Sequence, residues 1–448
     1  MNISINWEVV KLKNVFKLTL IAALVMMLLA ACGGNNSDGS SSSNNSETIT
    51  LTIANNWSGQ DAKAVAMRKI LEDFQNDNPN IKLEIEALAT DGLKTRLRTA
   101  AAANEMPDLF VMWPGAMTKE FVEGDLLQPI NDFLDSKPDW KNNFIENALV
   151  DFTIDGNIYS VPMNLAPSSL VYYNEAIFNQ YNVKVPTTWD ELLQAIDTFN
   201  ANGVIPIALG NKANWVAQST TFSTIGDRVT GTEWFLKAVE QDGASFTDPQ
   251  FIEALKVYQQ LSEANAYQDG FNSIDENQMV QLYTQGKAAM FINGGWAVAN
   301  LVNTAPEDIL NVTSITILPP VVGGKGEMPT TAGVVGTGLG VNKNLSGAKK
   351  EAALKLFYAL AGPEGQKATL ESSTLVSYNI ELDASKANPL FVKLTELMKN
   401  TKIVPVYDSK LSSAAVEAIN NGLQELLVGG NPEDIAKRIQ DAQANAVK

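Results

Sequence analysis

Strand and helix patterns alternate regularly at the start of the globular sequence, which restricts the fold to a small set of architectures. Residues 48–57 and 81–85 alternate apolar and polar side chains, as half-buried strands do, and residues 107–113 form a short apolar run. Apolar side chains at helical spacing fill the two intervals, over residues 61–74 and 93–103. A chain in which strands alternate with helices is typical of an α/β fold, in which helices cover a mostly parallel sheet.

The remainder of the chain continues this mixed pattern. Short strands are predicted at 204–209, 288–292 and 315–318, whereas residues 230–290 and the stretch from 348 onward have mainly helical spacing. The chain has 448 residues, more than one ordinary compact core contains, so two lobes are the expected organisation. The sequence shows no repeat of fixed period, which disfavours solenoids and propellers.

The composition excludes several classes of function. A formal net charge of -17 repels the phosphates of nucleic acids, so we expect no nucleic-acid partner. The chain contains no histidine, which removes Ser-His-Asp and Cys-His catalysis and every His-ligated metal. Residues 336–340 (GTGLG) lack the spacing of a dinucleotide loop, and residues 269–276 lack that of a calcium loop. We therefore predict no cofactor and no metal.

The N-terminal segment has the pattern of an export signal. Lysines precede an apolar run over residues 18–31, which is too short for a comfortable membrane span. The run ends in LAAC, where Cys32, the only cysteine, resembles the lipidated residue of bacterial lipoproteins. Residues 35–46 are rich in Ser and Asn and lack apolar side chains. We therefore expect a signal peptide over 1–31, lipidation of Cys32, a flexible tether over 32–47, and anchorage at the outer face of the cell membrane, with a Gram-positive type of cell surface favoured.

Ordered blocks of the later sequence are similar to a known family. The blocks are PDLF at 107–110, YSVPMNLAPSSLVYYN at 159–174, TWDEL at 188–192, GKAAMFINGGW at 286–296 and GPEGQ at 362–366. With them the chain resembles the family 1 extracellular solute-binding proteins of bacteria, the family that includes maltose-binding protein. The resemblance covers nearly all of residues 48–448, and the block at 286–296 is the most specific.

This resemblance implies a two-lobed periplasmic-binding-protein-like α/β fold of the class II type. Each lobe is then a sheet flanked by helices, and the lobes close like a hinge on a ligand in the cleft between them. By position, the first lobe is expected to contain residues 48–160 and 319–387. The second lobe is expected to contain residues 161–318 and 388–448.

Four tryptophans follow predicted strands and are candidate platforms for a sugar. A sugar ring has flat C–H faces, which stack on indole rings, and hydroxyl groups, which need amide or carboxylate partners. The candidate platforms, each of which has a core residue as its alternative interpretation, are Trp57, Trp113, Trp215 and Trp296. Three further tryptophans flank helices and are interpreted as structural: Trp140, Trp189 and Trp234.

Polar residues near the same strand ends complete the predicted ligand site. These candidates are Asp61, Asn164, Asn211, Asn293 and Asp408, together with Gly333 by position. Asp61 either grips two sugar hydroxyls or supplies a negative charge to the first turn of a helix. Asn293 precedes two glycines, which would let a ligand approach the backbone.

The resemblance implies a monomeric receptor that captures a carbohydrate, with an oligosaccharide favoured, and delivers it to the permease subunits of an ABC importer. A lipid-anchored sugar-sensing partner of a membrane receptor uses the same binding chemistry and stays an alternative. A polysaccharide-active hydrolase or lyase is a second alternative. A hydrolase would need two carboxylates about 5–10 Å apart, and the sequence singles out no such pair.

Overall fold

Residues 48–447 are described by the computed structural model. The signal peptide over 1–31, the tether over 32–47 and the lipidation of Cys32 concern residues outside this range. None of the helices within it combines the length and the apolar character that a membrane crossing requires.

The secondary structure is mixed along the whole described chain. The strands are β1 Ile49–Asn55, β2 Ile81–Ala87, β3 Leu109–Met112, β4 Thr153–Ile154, β5 Asn157–Ile158, β6 Ala166–Pro167, β7 Leu170–Asn174, β8 Ile205–Ala208, β9 Ala288–Asn293, β10 Thr313–Ile317, β11 Thr330–Val334, β12 Gly338–Val341 and β13 Lys402–Pro405. The helices in the first part are α1 Ala62–Asp77, α2 Thr90–Ala103, α3 Ala116–Glu123, α4 Asn131–Asp135, α5 Pro138–Lys141, α6 Glu175–Gln180, α7 Trp189–Ala201, α8 Ser223–Thr230 and α9 Thr232–Glu240. The later helices are α10 Pro249–Glu263, α11 Glu276–Thr284, α12 Trp296–Thr304, α13 Glu307–Asn311, α14 Gly347–Ala361, α15 Pro363–Glu371, α16 Pro389–Lys399, α17 Ser413–Leu426 and α18 Pro432–Ala446.

The first lobe is built on a four-stranded sheet of order β12-β3-β1-β2. Strand β1 pairs in parallel with β2 and β3, and β12 runs antiparallel to β3. The predicted alternation of strands and helices at the start of the chain is therefore confirmed. Asp108, directly before β3, joins that strand to β1. Its Oδ2 accepts hydrogen bonds from the N–H (2.7 Å) and the hydroxyl (3.0 Å) of Thr52.

Helices α1 and α2 cross over between these strands, with ends set by local chemistry. Asp61 caps α1, since its Oδ1 accepts from the N–H of Ala64 at 2.9 Å. Asn104 ends α2 in the left-handed conformation, with φ of 55°. Helix α2 begins at Thr90, three residues before the predicted start, because its first turn is exposed and carries no apolar side chain to mark it.

The second lobe is built on a four-stranded sheet of order β10-β7-β9-β8. Strand β9 pairs in parallel with β8 and antiparallel with β7. Thr188 caps α7, because its hydroxyl accepts a hydrogen bond from the N–H of Glu191 at 3.2 Å. The Glu191 carboxylate accepts from the backbone and hydroxyl of Thr187 instead of Thr188, so the reciprocal half of the capping box lies one residue earlier.

A short third sheet of order β13-β11-β6 joins segments that are distant in sequence. Thr331 Oγ1 donates to the carbonyl of Ser169 (2.8 Å), and the Ala332 N–H donates to Thr224 Oγ1 (2.9 Å), so β11 is bonded to the second lobe. Leu339, in β12, is buried in the first core. The expected lobe bounds imply that the chain returns from the second lobe to the first at residue 319. We propose instead that it returns beyond β11.

Candidate ligand-binding cleft

Aromatic side chains from both lobes meet around one lysine. Lys94, on α2 of the first lobe, places its Nζ 4.7 Å from the ring centroid of Trp113 and 5.5 Å from that of Trp215. The Trp215 ring lies 6.3 Å from that of Trp296, at an interplanar angle of 53°. Trp113 follows β3 in the first lobe, whereas Trp215 and Trp296 belong to the second. The three indoles therefore form one cluster where the two lobes meet, in the candidate cleft, and Lys94 contacts rings of both lobes by cation–π contacts.

The position of Trp296 is fixed by the turn that precedes it. Strand β9 ends at Asn293, whose Oδ1 accepts from the N–H of Gly294 at 2.8 Å. The Trp296 ring then lies back over Gly294, where an added Cβ would overlap the indole. Glycine at this place therefore lets the ring fold over the end of the strand, and the Trp296 Nε1 donates to Glu276 Oε1 at 2.7 Å.

Opposite charges face each other across the cleft. Asp408 lies in a 3-10 turn after β13 in the second lobe, and it interacts electrostatically with Lys94 in the first. Burial lowers the pKa of Lys94, and Asp408 partly opposes this. Burial raises the pKa of the Asp408 carboxyl, and Lys94 opposes this in turn. A guest with hydroxyl groups would find a donor on one lobe and an acceptor on the other.

The structure brings five of the predicted residues together in one region. These are Trp113, Trp215, Trp296, Asn293 and Asp408. Lys94 and Glu276, which no pattern in the sequence singles out, complete the cluster. Lys94 has the local sequence of an ordinary exposed helical lysine, so no signal in its own segment distinguished it.

A second lysine contacts the predicted residue Asn164, close to the expected boundary of the first lobe at residue 160. Lys63 Nζ donates to Asn164 Oδ1 at 2.9 Å, and the same oxygen accepts from the N–H and the hydroxyl of Thr337. Burial lowers the pKa of Lys63 to about 8, and Asp61 opposes the shift. Asn164 thus links α1 to the segment between β11 and β12, and its contact with a ligand stays a prediction.

The pH dependence of unfolding should reveal the lowered pKa of Lys63, whose side chain is half-buried. Its folded pKa of about 8 lies below the ordinary value of 10.5, so the folded state loses this proton first as the pH rises. The penalty for burying the charge is complete below pH 8 and is relieved between pH 8 and 10.5. We expect wild type to gain unfolding free energy relative to Lys63→Met over this interval, as measured by urea denaturation at about pH 7 and about pH 10.

A matched control lies on the same helix. Lys69 is exposed and paired with Asp73 at 2.8 Å, which raises the pKa of Lys69. Lys69→Met should show no such relative gain for wild type between pH 8 and 10.5. An equal pH dependence of the two variants would contradict the lowered pKa of Lys63.

Two predicted residues of the first lobe have structural contacts of their own. Trp57 is 2% exposed and packs in the first hydrophobic core. Its buried Nε1 has no hydrogen-bond partner among the described residues. Asp61 is the cap of α1, which agrees with its alternative interpretation as a charge at a helix start. Ligand contacts of both residues stay predictions.

Two other predicted residues, Asn211 and Gly333, make structural contacts within the protein. Asn211 is 0% exposed, and its Oδ1 accepts from the N–H of Ala217 (3.0 Å) while its Nδ2 donates to Asn272 (2.8 Å). Gly333 lies in β11, where an added Cβ would lie 2.8 Å from the carbonyl oxygen of Ala166. The close packing of two strands explains this glycine, and ligand contacts of both residues stay predictions.

The fold is that of a two-lobed α/β protein whose lobes both contribute aromatic side chains to one cluster. The chain belongs to the bacterial extracellular solute-binding protein family, whose profile matches residues 56–367. The resemblance inferred from the sequence blocks is thereby confirmed. An uncharacterized ABC transporter extracellular-binding protein of Pyrococcus horikoshii is 26% identical over 260 residues, which is 56% of this chain and 57% of that protein. The match therefore spans just over half the length of that relative.

Two solved structures are similar over most of the chain. One comes from work on xylan utilization by Caldanaerobius polysaccharolyticus, with a TM-score of 0.80, 29% identity, and coverage of 88% of this chain and 99% of that one. The other is a chitin oligosaccharide binding protein, with a TM-score of 0.80, 25% identity, and coverage of 89% and 99%. The expected two-lobed α/β fold is confirmed by these likenesses.

Proposed function

We propose that this protein captures an oligosaccharide between its lobes and delivers it to the permease of an ABC importer. The observation that carries the proposal is the convergence of Trp113, Trp215 and Trp296 from both lobes around Lys94 and Asp408. Indole rings match the C–H faces of sugar rings, and the two charged groups match hydroxyl donors and acceptors. Several indoles in one cleft favour a ligand of more than one sugar ring.

The names of similar proteins support the same class of ligand. One similar structure is a chitin oligosaccharide binding protein, and another comes from work on xylan utilization. The relative from Pyrococcus horikoshii is described as part of an ABC transporter. Together these support an oligosaccharide as the ligand and an importer as the partner of this chain.

We further propose where this protein is located and how it is attached there. The family is one of extracellular binding proteins. We propose that this member is a monomer anchored to the cell membrane through a lipid on Cys32, and that it binds its ligand without catalysis. Labelling with a radioactive fatty acid should mark the wild-type protein and not Cys32→Ser, and label on both would contradict the anchor.

A thermal-shift screen tests the proposed ligand class. The chain from residue 33 onward contains the whole compact unit from Thr48 to Lys448 and is the form to use. Binding to the native state stabilises it by about 2.7 kcal/mol when the ligand is present at about 100 times its Kd. We expect xylo-, chito- or malto-oligosaccharides to raise the melting temperature. A shift with another solute class and none with any carbohydrate would overturn the proposal.

Closure of the lobes depends on a close backbone approach at Gly115. A Cβ added to Gly115, in the first lobe, would overlap the carbonyl oxygen of Ser409, in the second. The neighbouring residues Asp151 and Lys410 form an ion pair of 2.5 Å across the same boundary. We expect Gly115→Ala to weaken oligosaccharide binding roughly 10-fold or more, as measured by calorimetry, because the added methyl group keeps the lobes apart.

Gly156 provides the matched control for this variant. Its φ of 77° equals that of Gly115 (76°) within a degree, but an added Cβ would meet nothing within 4 Å. Gly156→Ala therefore also places alanine at a positive φ, without the overlap, and should leave the affinity within about twofold. An equal loss of affinity in both variants would contradict a role for Gly115 in closure.

A further inference from the structure

Glu276 contacts two residues of the aromatic site through one oxygen. Its Oε1 accepts from the Nε1 of Trp296 at 2.7 Å and from the Nδ2 of Asn293 at 2.8 Å. The carboxylate therefore ties the indole to the end of strand β9. A charge-assisted hydrogen bond of this length fixes the orientation of the ring about its long axis.

The backbone beneath Glu276 is held in place. Glu276 is the first residue of α11, directly after Asp275, which caps the helix. Asp275 Oδ1 accepts from the N–H of Gln278 (2.9 Å), and the Gln278 side chain accepts from the N–H of Asp275 (3.0 Å). This complete capping box makes the start of α11 a rigid support for the Glu276 side chain.

The surroundings of Glu276 leave its negative charge under-compensated. The side chain is half-buried, and the nearby charges that act on it are those of Asp91 and Asp275. Asp91 belongs to α2 of the first lobe, so the carboxylate faces across the cleft. Burial raises the pKa of Glu276, whereas the two hydrogen bonds from Asn293 and Trp296 oppose the shift. A carboxylate in such a place is stabilised by further hydrogen-bond donors.

We propose that Glu276 is a further ligand-binding and specificity-determining residue of the cleft. Its Oε1 already accepts hydrogen bonds from Trp296 and Asn293. Its Oε2 accepts a hydrogen bond from a hydroxyl group of the sugar ring that stacks on Trp296. The Glu276 side chain thus orients the Trp296 indole ring and binds a sugar hydroxyl group beside that ring. This inference rests on the proposed function, and a ring that lacks a hydroxyl at that edge would be rejected.

The inference is tested with Glu276→Gln, Glu276→Ala and a control at Glu307. Glu307 is likewise the first residue of a helix, α13, but its side chain is exposed. Glu307→Gln therefore reproduces the loss of a negative charge at a helix start. The probes are xylotetraose, chitotetraose and maltotetraose, and urea unfolding establishes that each variant is folded.

The first readout needs no ligand. In ¹⁵N spectra of the ligand-free protein, the indole N–H resonance of Trp296, assigned by its loss in Trp296→Phe, should move upfield in Glu276→Ala. It should titrate with pH in wild type and not in Glu276→Gln. An indole resonance that is unchanged in Glu276→Ala overturns the inference, whatever the sugar binding of the protein.

The second readout is the Kd for the tetrasaccharide that binds. We expect Glu276→Gln to weaken binding roughly 10- to 100-fold, as loss of a hydrogen bond to a charged group does, and Glu307→Gln to leave it unchanged. A displaced indole resonance with an unchanged Kd overturns the ligand contact. If wild type binds no carbohydrate, the proposed function and the ligand contact both fail, while the resonance still decides whether Glu276 orients Trp296.

Discussion

Replacement of Trp296 by alanine is expected to weaken oligosaccharide binding by roughly 30- to 1,000-fold while the chain stays folded. The indole is half-buried, packs beside Trp215 and is oriented by Glu276, so it presents a preformed apolar face to a sugar ring. Aromatic anchors at the centre of a binding site typically cost about 2–4 kcal/mol when truncated. Isothermal titration calorimetry of wild type and Trp296→Ala measures the change in Kd directly.

Trp234 offers a control that matches Trp296 closely. It is also half-buried in the second lobe, and its Nε1 donates to the carboxylate of Asp248 at 3.0 Å. Its ring stacks on Phe251 within the core instead of facing the cleft. Trp234→Ala should lower the melting temperature and leave the Kd unchanged. Wild-type affinity in Trp296→Ala would remove this residue from the site.

Replacement of Arg228 by methionine is expected to lower the free energy of unfolding by about 3–5 kcal/mol. Arg228 is 2% exposed, and its guanidinium donates to the carbonyls of Leu318 (3.2 Å) and Thr330 (2.5 Å) and to the Thr330 hydroxyl. It also lies 3.8 Å from the carboxylate of Asp227. The variant leaves a buried carboxylate without its cation and several acceptors without donors, and urea denaturation measures the loss.

Arg438 is the control for the loss of an arginine at the surface. It pairs with Glu425 at 2.5 Å, but half of its side chain is exposed (52%). Exposed ion pairs contribute little, so Arg438→Met should cost less than about 1 kcal/mol. A similar cost for the two variants would contradict the stabilising role of the buried guanidinium beside β11.

The local elements were predictable because their signals lie within short segments. Alternating apolar residues located β1 and β2. The start of α2 was misplaced because the exposed first turn carries no apolar residue. The crossing that we propose after β11 is inferred from hydrogen bonds to residues more than 100 positions earlier, which no local pattern contains.

The aromatic part of the site was predictable, whereas its charged part was not. Trp113 directly follows β3, and Trp296 lies three residues beyond the end of β9, so each comes after the carboxyl end of a strand, where α/β sheets bind their ligands. Lys94 and Glu276 acquire their roles only when two lobes and two separate helices meet, so their own segments look like ordinary surface helices. Asp61 had two interpretations in the sequence, and the helix cap is the contact that the structure contains.

A crystal structure of the chain with a bound tetrasaccharide would decide whether a sugar binds between the two lobes. We expect sugar rings stacked on Trp215 and Trp296, with hydroxyl groups within hydrogen-bond distance of Lys94 and Asp408. An oligosaccharide held on the outer surface of either lobe, with the indole rings of the cleft untouched, would contradict this expectation.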